Sequence, residues 1–287
     1  IDSPAEVAEV SHSPESTSLI ENLMMPLRGA FLTSLLLIAM VCFQTLGQDK
    51  KPDEAPRVLL SSPLGVTTGV ASKVVLRGLR LDQISEVRIG EPPVSAKILS
   101  KGKVGVPQKQ DLNRVGDSQV EVEIELPKDA KPGEIAVTFV APSGTSMAHQ
   151  LIVDVQPLIA EKEPNDGFRQ AQEIKLGDVV EGTLHQSQNV DVFRFEGTAG
   201  DKIVCEVLAA RRGSGLDAML TLFDSRQRLI GSNDDQPERD GLSGWGTRDS
   251  RIEFVVSTTG MIYVVLQDAQ DLGGPAHPYR LRVVKAE

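Results

Sequence analysis

The chain of 287 residues is poor in aromatics, poor in cysteine and short of positive charge. Aromatics are 4% of it, with one Trp and two Tyr, which leaves little material for an aromatic sugar-binding platform. Lys and Arg number 30 against 40 Asp and Glu, a formal charge of -10. That balance excludes the basic face on which nucleic-acid binding depends. No apolar run reaches the ~20 residues that a membrane-spanning helix needs. The two cysteines are Cys42 and Cys205. Cys42 lies in an amino-terminal apolar segment, so Cys205 is expected to be alone in the mature chain, without an intrachain disulfide. It alternates with Ile203 and Val207 and reads as a small buried hydrophobe.

Several catalytic templates are missing as well. His149, His185 and His277 are widely spaced, with no His-x-x-x-His or cysteine pair to form a zinc site. Gly241-Leu242-Ser243-Gly244-Trp245 lacks the last glycine of a nucleophile elbow. Gly144-Thr145-Ser146-Met147-Ala148 reproduces the pentapeptide around the subtilase serine. It falls between two strand patterns, however, and no upstream Asp or His motif accompanies it, so it reads as a turn.

What is present begins with compartment signals. Ala30 to Phe43 is apolar and uncharged, follows Arg28, and leads to the small-residue stretch ending at Gly47. This is the layout of a secretory signal peptide, expected over residues 24–47. Residues 1–23 carry Asp2, Glu6, Glu9, Glu15 and Glu21 and no Lys or Arg, the wrong polarity for a signal start. They are expected to be a non-native upstream extension, with translation starting at Met24 or Met25. The protein is therefore expected to be secreted, periplasmic or at the cell surface, with no membrane span in its mature chain.

Residues 48–56 form a charged, proline-bearing linker. After it the hydrophobic period is two. Val120, Val122, Ile124 and Leu126 alternate with Glu121, Glu123 and Glu125, the pattern of a half-buried strand. Further strands are expected at Lys73–Leu79, Glu86–Ile89, Glu134–Val140 and Gln150–Val155, separated by Pro- and Gly-rich turns. Residues 57–156 thus predict an Ig-like β-sandwich. Gln156 to Asn165 joins it to a second unit over residues 157–287. There strands are expected at Val179–Leu184, Val190–Phe195, Lys202–Leu208, Ala218–Asp224, Arg251–Val256, Met261–Leu266 and Tyr279–Val284. No stretch sustains a capped helical period. The fold class is all-β: two sandwiches in tandem, the second jelly-roll-like.

Glu161, Glu163, Asn165 and Asp166 place four oxygen-bearing side chains within six residues. In extended chain, Glu161, Glu163 and Asn165 project to one side. Hard oxygen donors at that density suit Ca²⁺. Asp191 shares strand parity with Phe193 and Phe195, so it points inward and needs a partner for its charge. Asn233-Asp234-Asp235 is a weaker acidic turn of the same kind. Trp245 lies in a polar loop, as either a cap on one end of the sandwich or an exposed anchor for a ligand.

The second half also carries an ordered set of short motifs. Glu161 to Asp166 is followed by Gly182-Thr183-Leu184, Asp191-Val192-Phe193-Arg194-Phe195, Ala199-Gly200-Asp201, Leu216 to Asp224, Gly260 to Val265 and Tyr279-Arg280-Leu281. In this order and spacing, residues from about 161 to 284 resemble the bacterial pre-peptidase C-terminal domain. Ser62-Pro63-Leu64-Gly65 and Val75-Leu76-Arg77-Gly78 resemble bacterial Ig-like domains. The segments Leu216–Asp224 and Asp249–Tyr279 are similar to exported multi-domain proteins of planctomycete-type bacteria. The first resemblance implies a β-sandwich beside a secreted peptidase, with calcium at Glu161, Glu163, Asn165, Asp166 and Asp191. Gln188 and Asn189 stand where that family often has acids, and His185 replaces a shorter residue.

The expected function is an exported, non-catalytic binding or accessory protein. It would assist secretion, maturation or substrate attachment of a peptidase or cell-envelope partner, and its partner would be a protein or an extracellular polymer. The alternative is the front part of a larger secreted peptidase whose catalytic domain lies outside this chain. A structural adhesion module is a third reading.

Overall fold

A computed structural model describes residues 54–90, 94–108, 110–236 and 248–286. The expected extension and signal peptide, most of the leading linker and Trp245 lie outside the described residues. Nine strands fill the first half: β1 (Arg57–Ser62), β2 (Gly65–Thr67), β3 (Ala71–Leu79), β4 (Glu86–Ile89), β5 (Ser95–Lys103), β6 (Ser118–Glu125), β7 (Gly133–Ala141), β8 (Gly144–Thr145) and β9 (His149–Asp154). Ten follow: β10 (Ile159–Ala160), β11 (Gln172–Glu173), β12 (Val179–Thr183), β13 (Val190–Gly197), β14 (Lys202–Leu208), β15 (Ala218–Phe223), β16 (Leu229–Asn233), β17 (Arg251–Val255), β18 (Gly260–Asp268) and β19 (Pro278–Lys285). The chain is all-β, two sandwiches in tandem.

In the first sandwich, sheet β1-β3-β6-β5 faces sheet β2-β9-β7-β4, with β8 folded onto β7. Val74, Leu76, Val120, Val122 and Ile124 from one sheet meet Ile89, Val137, Phe139 and Leu151 from the other, all fully buried. The alternation in β6 does what its sequence dictates. Its apolar residues enter this core while Glu123 lies in register with Lys73 on one side and Lys97 on the other. Opposite charges across neighbouring strands are favourable pairs.

In the second sandwich, sheet β10-β12-β19-β14-β17 faces sheet β11-β13-β18-β15-β16. Val180, Ile203, Cys205, Val207, Leu281 and Val283 pack against Phe193, Phe195, Leu220, Leu222, Val264 and Leu266. Cys205 is fully buried, and burial pushes its thiol up to about 12.

The connection between the sandwiches is structured. Within it, β10 pairs in parallel with β12, as Ile159 with Val180 and Ala160 with Glu181. Strands β12 and β19 are buried on both faces at Glu181 and Arg280, where the first sandwich lies over the side that their own core leaves open. On β12, Val180 enters the core and Glu181 is turned the other way, yet both are buried. On β19, Tyr279 and Leu281 go inward and Arg280 outward, again buried. Arg280 donates to Glu181 Oε1 at 2.6 Å through Nε and to Asp154 Oδ2 at 2.7 Å through Nη2. Leu64 N donates to Glu181 Oε2 at 2.9 Å. Gly65 makes room for this clamp, since a Cβ there would lie 2.3 Å from Arg280 Nη2. Leu60, Val115 and Ala276 add a small apolar contact, and Gln110 Nε2 donates to Gly273 O at 2.9 Å.

Candidate metal centre

The centre forms where the ordered connection meets the end of the second sandwich. Pairing of β10 with β12 continues one residue further, as Glu161 N donates to Glu181 O at 2.9 Å. This fixes the start of the Glu161 side chain, and Thr183 N then donates to its Oε2 at 2.8 Å. Two residues on, Glu163 Oε2 accepts from Asn165 N at 3.0 Å, and its Oε1 lies 3.0 Å from His185 Nδ1. Asn165 O accepts from Val192 N at 2.9 Å, which ties this turn to β13. Asp191 sits on β13 and is fully buried, as its parity with Phe193 and Phe195 requires. Its Oδ1 accepts from Asn189 Nδ2 at 2.7 Å and its Oδ2 from Tyr279 OH at 2.6 Å.

Ligand atoms of Glu161, Glu163 and Asp191 all lie within 4.8 Å of one another. Three carboxylates so close repel, and Asp191 shows the strain. Its carboxyl is pushed up to about 9, first by burial and then by the Glu161 carboxylate against it, while the Tyr279 hydrogen bond works the other way. Burial and the Asp191 charge in turn hold the Tyr279 phenol well above its usual range. The polar inventory is also incomplete. Glu161 Oε1 and both amide atoms of Asn165 are buried with no hydrogen-bond partner among the described residues, and Asn165 is 0% exposed. A buried amide left without partners is destabilising unless something fills its shell.

Gly182 permits the approach of the two halves. A Cβ at this position would lie 2.4 Å from the Tyr279 ring and hydroxyl and 2.6 Å from Glu161 Oε2. The donor set is carboxylate and amide oxygen, which suits a hard divalent cation such as Ca²⁺ with its 6–8 oxygens at ~2.3–2.6 Å.

Of the five residues singled out in the sequence, the structure brings Glu161, Glu163 and Asp191 together and seats Asn165 beside them. Asp166 is exposed and stands outside the three grouped carboxylates, although it lines the same cleft as Glu161 and Glu163. Asn189, standing where an acid was expected, is buried and orients Asp191 as a donor. Tyr279 is a core residue, fully buried, and its contribution to the site as a donor to Asp191 was missed from sequence. Its signal is a phenol on a core-facing position, which requires a hydrogen-bond acceptor.

The remaining motifs fall elsewhere. Ser146 Oγ accepts from Phe139 N at 3.0 Å and donates to Met147 O at 2.9 Å, so it closes the β7–β8 hairpin. His149 Nε2 lies 3.1 Å from the fully buried Ser61 hydroxyl instead. Asn233 Oδ1 accepts from Arg251 N at 3.1 Å and fastens β16 to β17, while Asp234 and Asp235 are exposed.

No family model and no curated protein matches the chain. Among solved structures it is similar to the pre-peptidase C-terminal domain of a collagenase from Bacillus anthracis, at 17% identity over 45% of this chain and 99% of that one, with a TM-score of 0.30. It is similar to the secreted serine protease VesC from Vibrio cholerae, at 11% identity over 88% of this chain and 53% of that one, with a TM-score of 0.28. A third similarity is to SGBP-B of the Bacteroides ovatus mixed-linkage glucan utilization locus, in complex with a heptasaccharide. It has 8% identity over 80% of this chain and 74% of that one, with a TM-score of 0.26.

Proposed function

We propose that the protein is a non-catalytic binding or accessory module that works outside the cytoplasm, and that calcium held by Glu161, Glu163, Asn165 and Asp191 fastens the connection to the second sandwich. The observation that carries the cation is the fully buried Asn165 amide, unpartnered at both atoms, beside three converging carboxylates. A divalent cation supplies the missing shell and offsets the mutual repulsion of the carboxylates. The role of the residues is then geometric. Tyr279 and Asn189 aim Asp191, Thr183 N aims Glu161, and the ion draws β13 and the connection together.

The export reading is supported by the apolar run Ala30 to Phe43 behind Arg28 and by the solitary buried Cys205. The non-catalytic reading is supported by Ser146 and His149, whose polar atoms serve a hairpin and a buried hydroxyl. The ordered motifs of the second half support a peptidase or cell-envelope partner.

Calorimetry and thermal melting with and without a calcium chelator test the cation. One site per chain is expected, with calcium at about 100 times Kd stabilising by ~2.7 kcal/mol. Glu161→Gln and Asp191→Asn should abolish both heat and stabilisation. The absence of calcium heat in the wild type, with melting indifferent to chelator, would overturn the assignment.

A further inference from the structure

The centre opens into a cleft of about 820 Å³ between the two sandwiches, within the range of ligand-binding pockets. It is lined by Glu161, Glu163 and Asp166, by Glu181, which Arg280 pairs, by His185 beside Glu163, and by the apolar Pro63, Leu158 and Pro164. Resting on the calcium reading above, we propose that this cleft docks an uncharged, extended peptide segment of a partner, one main-chain carbonyl oxygen of which completes the coordination of the ion. Three arguments lead there. Glu161, Glu163 and Asp191 each have at least one carboxylate oxygen already taken by a protein donor. With Asn165 they supply about four oxygens at one apiece, fewer than the 6–8 that calcium takes, and positions remain for oxygens from outside. Charge then selects among those oxygens. The three carboxylates outweigh a divalent ion by one negative charge and Asp166 adds a second, so a partner carboxylate is repelled and a neutral oxygen is favoured. Finally, among the described residues the lining includes no Phe, Tyr or Trp on which a sugar would stack, and its prolines and Leu158 suit apolar side chains flanking a carbonyl.

The experiment immobilises the full chain in calcium and offers a pool of end-capped octapeptides containing only Ala, Val, Leu, Pro, Gly, Ser and Thr. A second pool has Glu at half of its positions, and mixed-linkage gluco-oligosaccharides are offered separately; retained molecules are read by mass spectrometry. The neutral pool is expected to be retained at least tenfold better in calcium than in chelator, with the acidic pool left behind. Leu158→Asp should lose this retention and keep the calorimetric calcium heat. Calcium heat without peptide retention, preference for the acidic pool, retention of the oligosaccharide in place of peptide, or retention indifferent to chelator would each overturn the proposal while leaving the cation site standing. Loss of calcium heat itself in the wild type would overturn both.

Discussion

Replacing Arg280 by Leu should unlock the two sandwiches from one another. The guanidinium reaches Glu181 Oε1 at 2.6 Å and Asp154 Oδ2 at 2.7 Å, and the side chains of Arg280 and Glu181 are only 8% and 7% exposed. Burial already pushes the Glu181 carboxyl above its ordinary range, outweighing the pull of Arg280 and the Leu64 N–H. Removing the cation leaves Glu181 buried with a single main-chain donor, and breaking a buried pair from one side is destabilising by about 3–5 kcal/mol. Replacing both partners, as Arg280→Leu with Glu181→Leu, removes the stranded charge. The double variant should therefore be more stable than Arg280→Leu alone by about 2 kcal/mol, with a residual loss from the orphaned Leu64 N–H. Urea unfolding reads the free energies, and hydrogen exchange at the Leu64 amide reads the clamp directly, since that amide bonds Glu181 Oε2 at 2.9 Å. An Arg280→Leu loss below about 1 kcal/mol, or unchanged exchange at Leu64, would refute the buried-charge reasoning.

Gly182→Ala forces a methyl to 2.4 Å from Tyr279 and 2.6 Å from Glu161 Oε2, so calcium affinity in calorimetry should fall at least tenfold. Overpacking of this kind also destabilises by about 1–3 kcal/mol, to be read in urea. His149 is held down at about 4 by burial and by the nearby Arg212. Its folded value lies below the unfolded ~6.5, so the unfolded state binds the extra proton in that window. Stability from this group is present above pH ~6.5 and is lost as pH falls towards 4, by up to about 3 kcal/mol. His149→Gln should flatten that limb of the urea stability–pH curve, and an unaltered limb would count against it.

How far the sequence could be read follows from where the information sits. Strand β6 was legible because one face is Val120, Val122 and Ile124 and the other is glutamate. Strand β5, with the sequence SAKILSKGK, went unseen because it is an edge strand, where lysines and serines take the place of alternation. Strands β10 and β11 have two residues each and owe their existence to the partners β12 and β13, not to local propensity. The centre divides in the same way. Glu161, Glu163 and Asn165 were found because ligands two residues apart on extended chain are a local pattern. Asp191 was found by parity. Tyr279 stands 88 residues from Asp191, and only the packing of one sheet over the other brings its hydroxyl to that carboxylate. That Asp166 stands outside the three grouped carboxylates is set by the fold, since density of acids in a sequence says nothing about which of them converge.

Strand β12 explains why the clamp and the metal centre belong to one device. Glu181, Gly182 and Thr183 are consecutive: the first holds Arg280 and Leu64, the second leaves room for Tyr279 and Glu161, and the third donates its N–H to Glu161. The Glu161 main chain is itself bonded to Glu181 O. On the calcium reading proposed above, an ion bound by Glu161 and Asp191 would act on the backbone that carries the clamp between the sandwiches. This stretch places the wholly buried Asp191 carboxyl, pushed up by burial and by Glu161, beside an amide that has no hydrogen-bond partner among the described residues. A core built for stability alone would put an apolar residue at Asp191, as it does at Phe193 and Phe195 on the same face. A carboxyl there, with Tyr279 OH and Asn189 Nδ2 dedicated to aiming it, is what the proposed cation site would require.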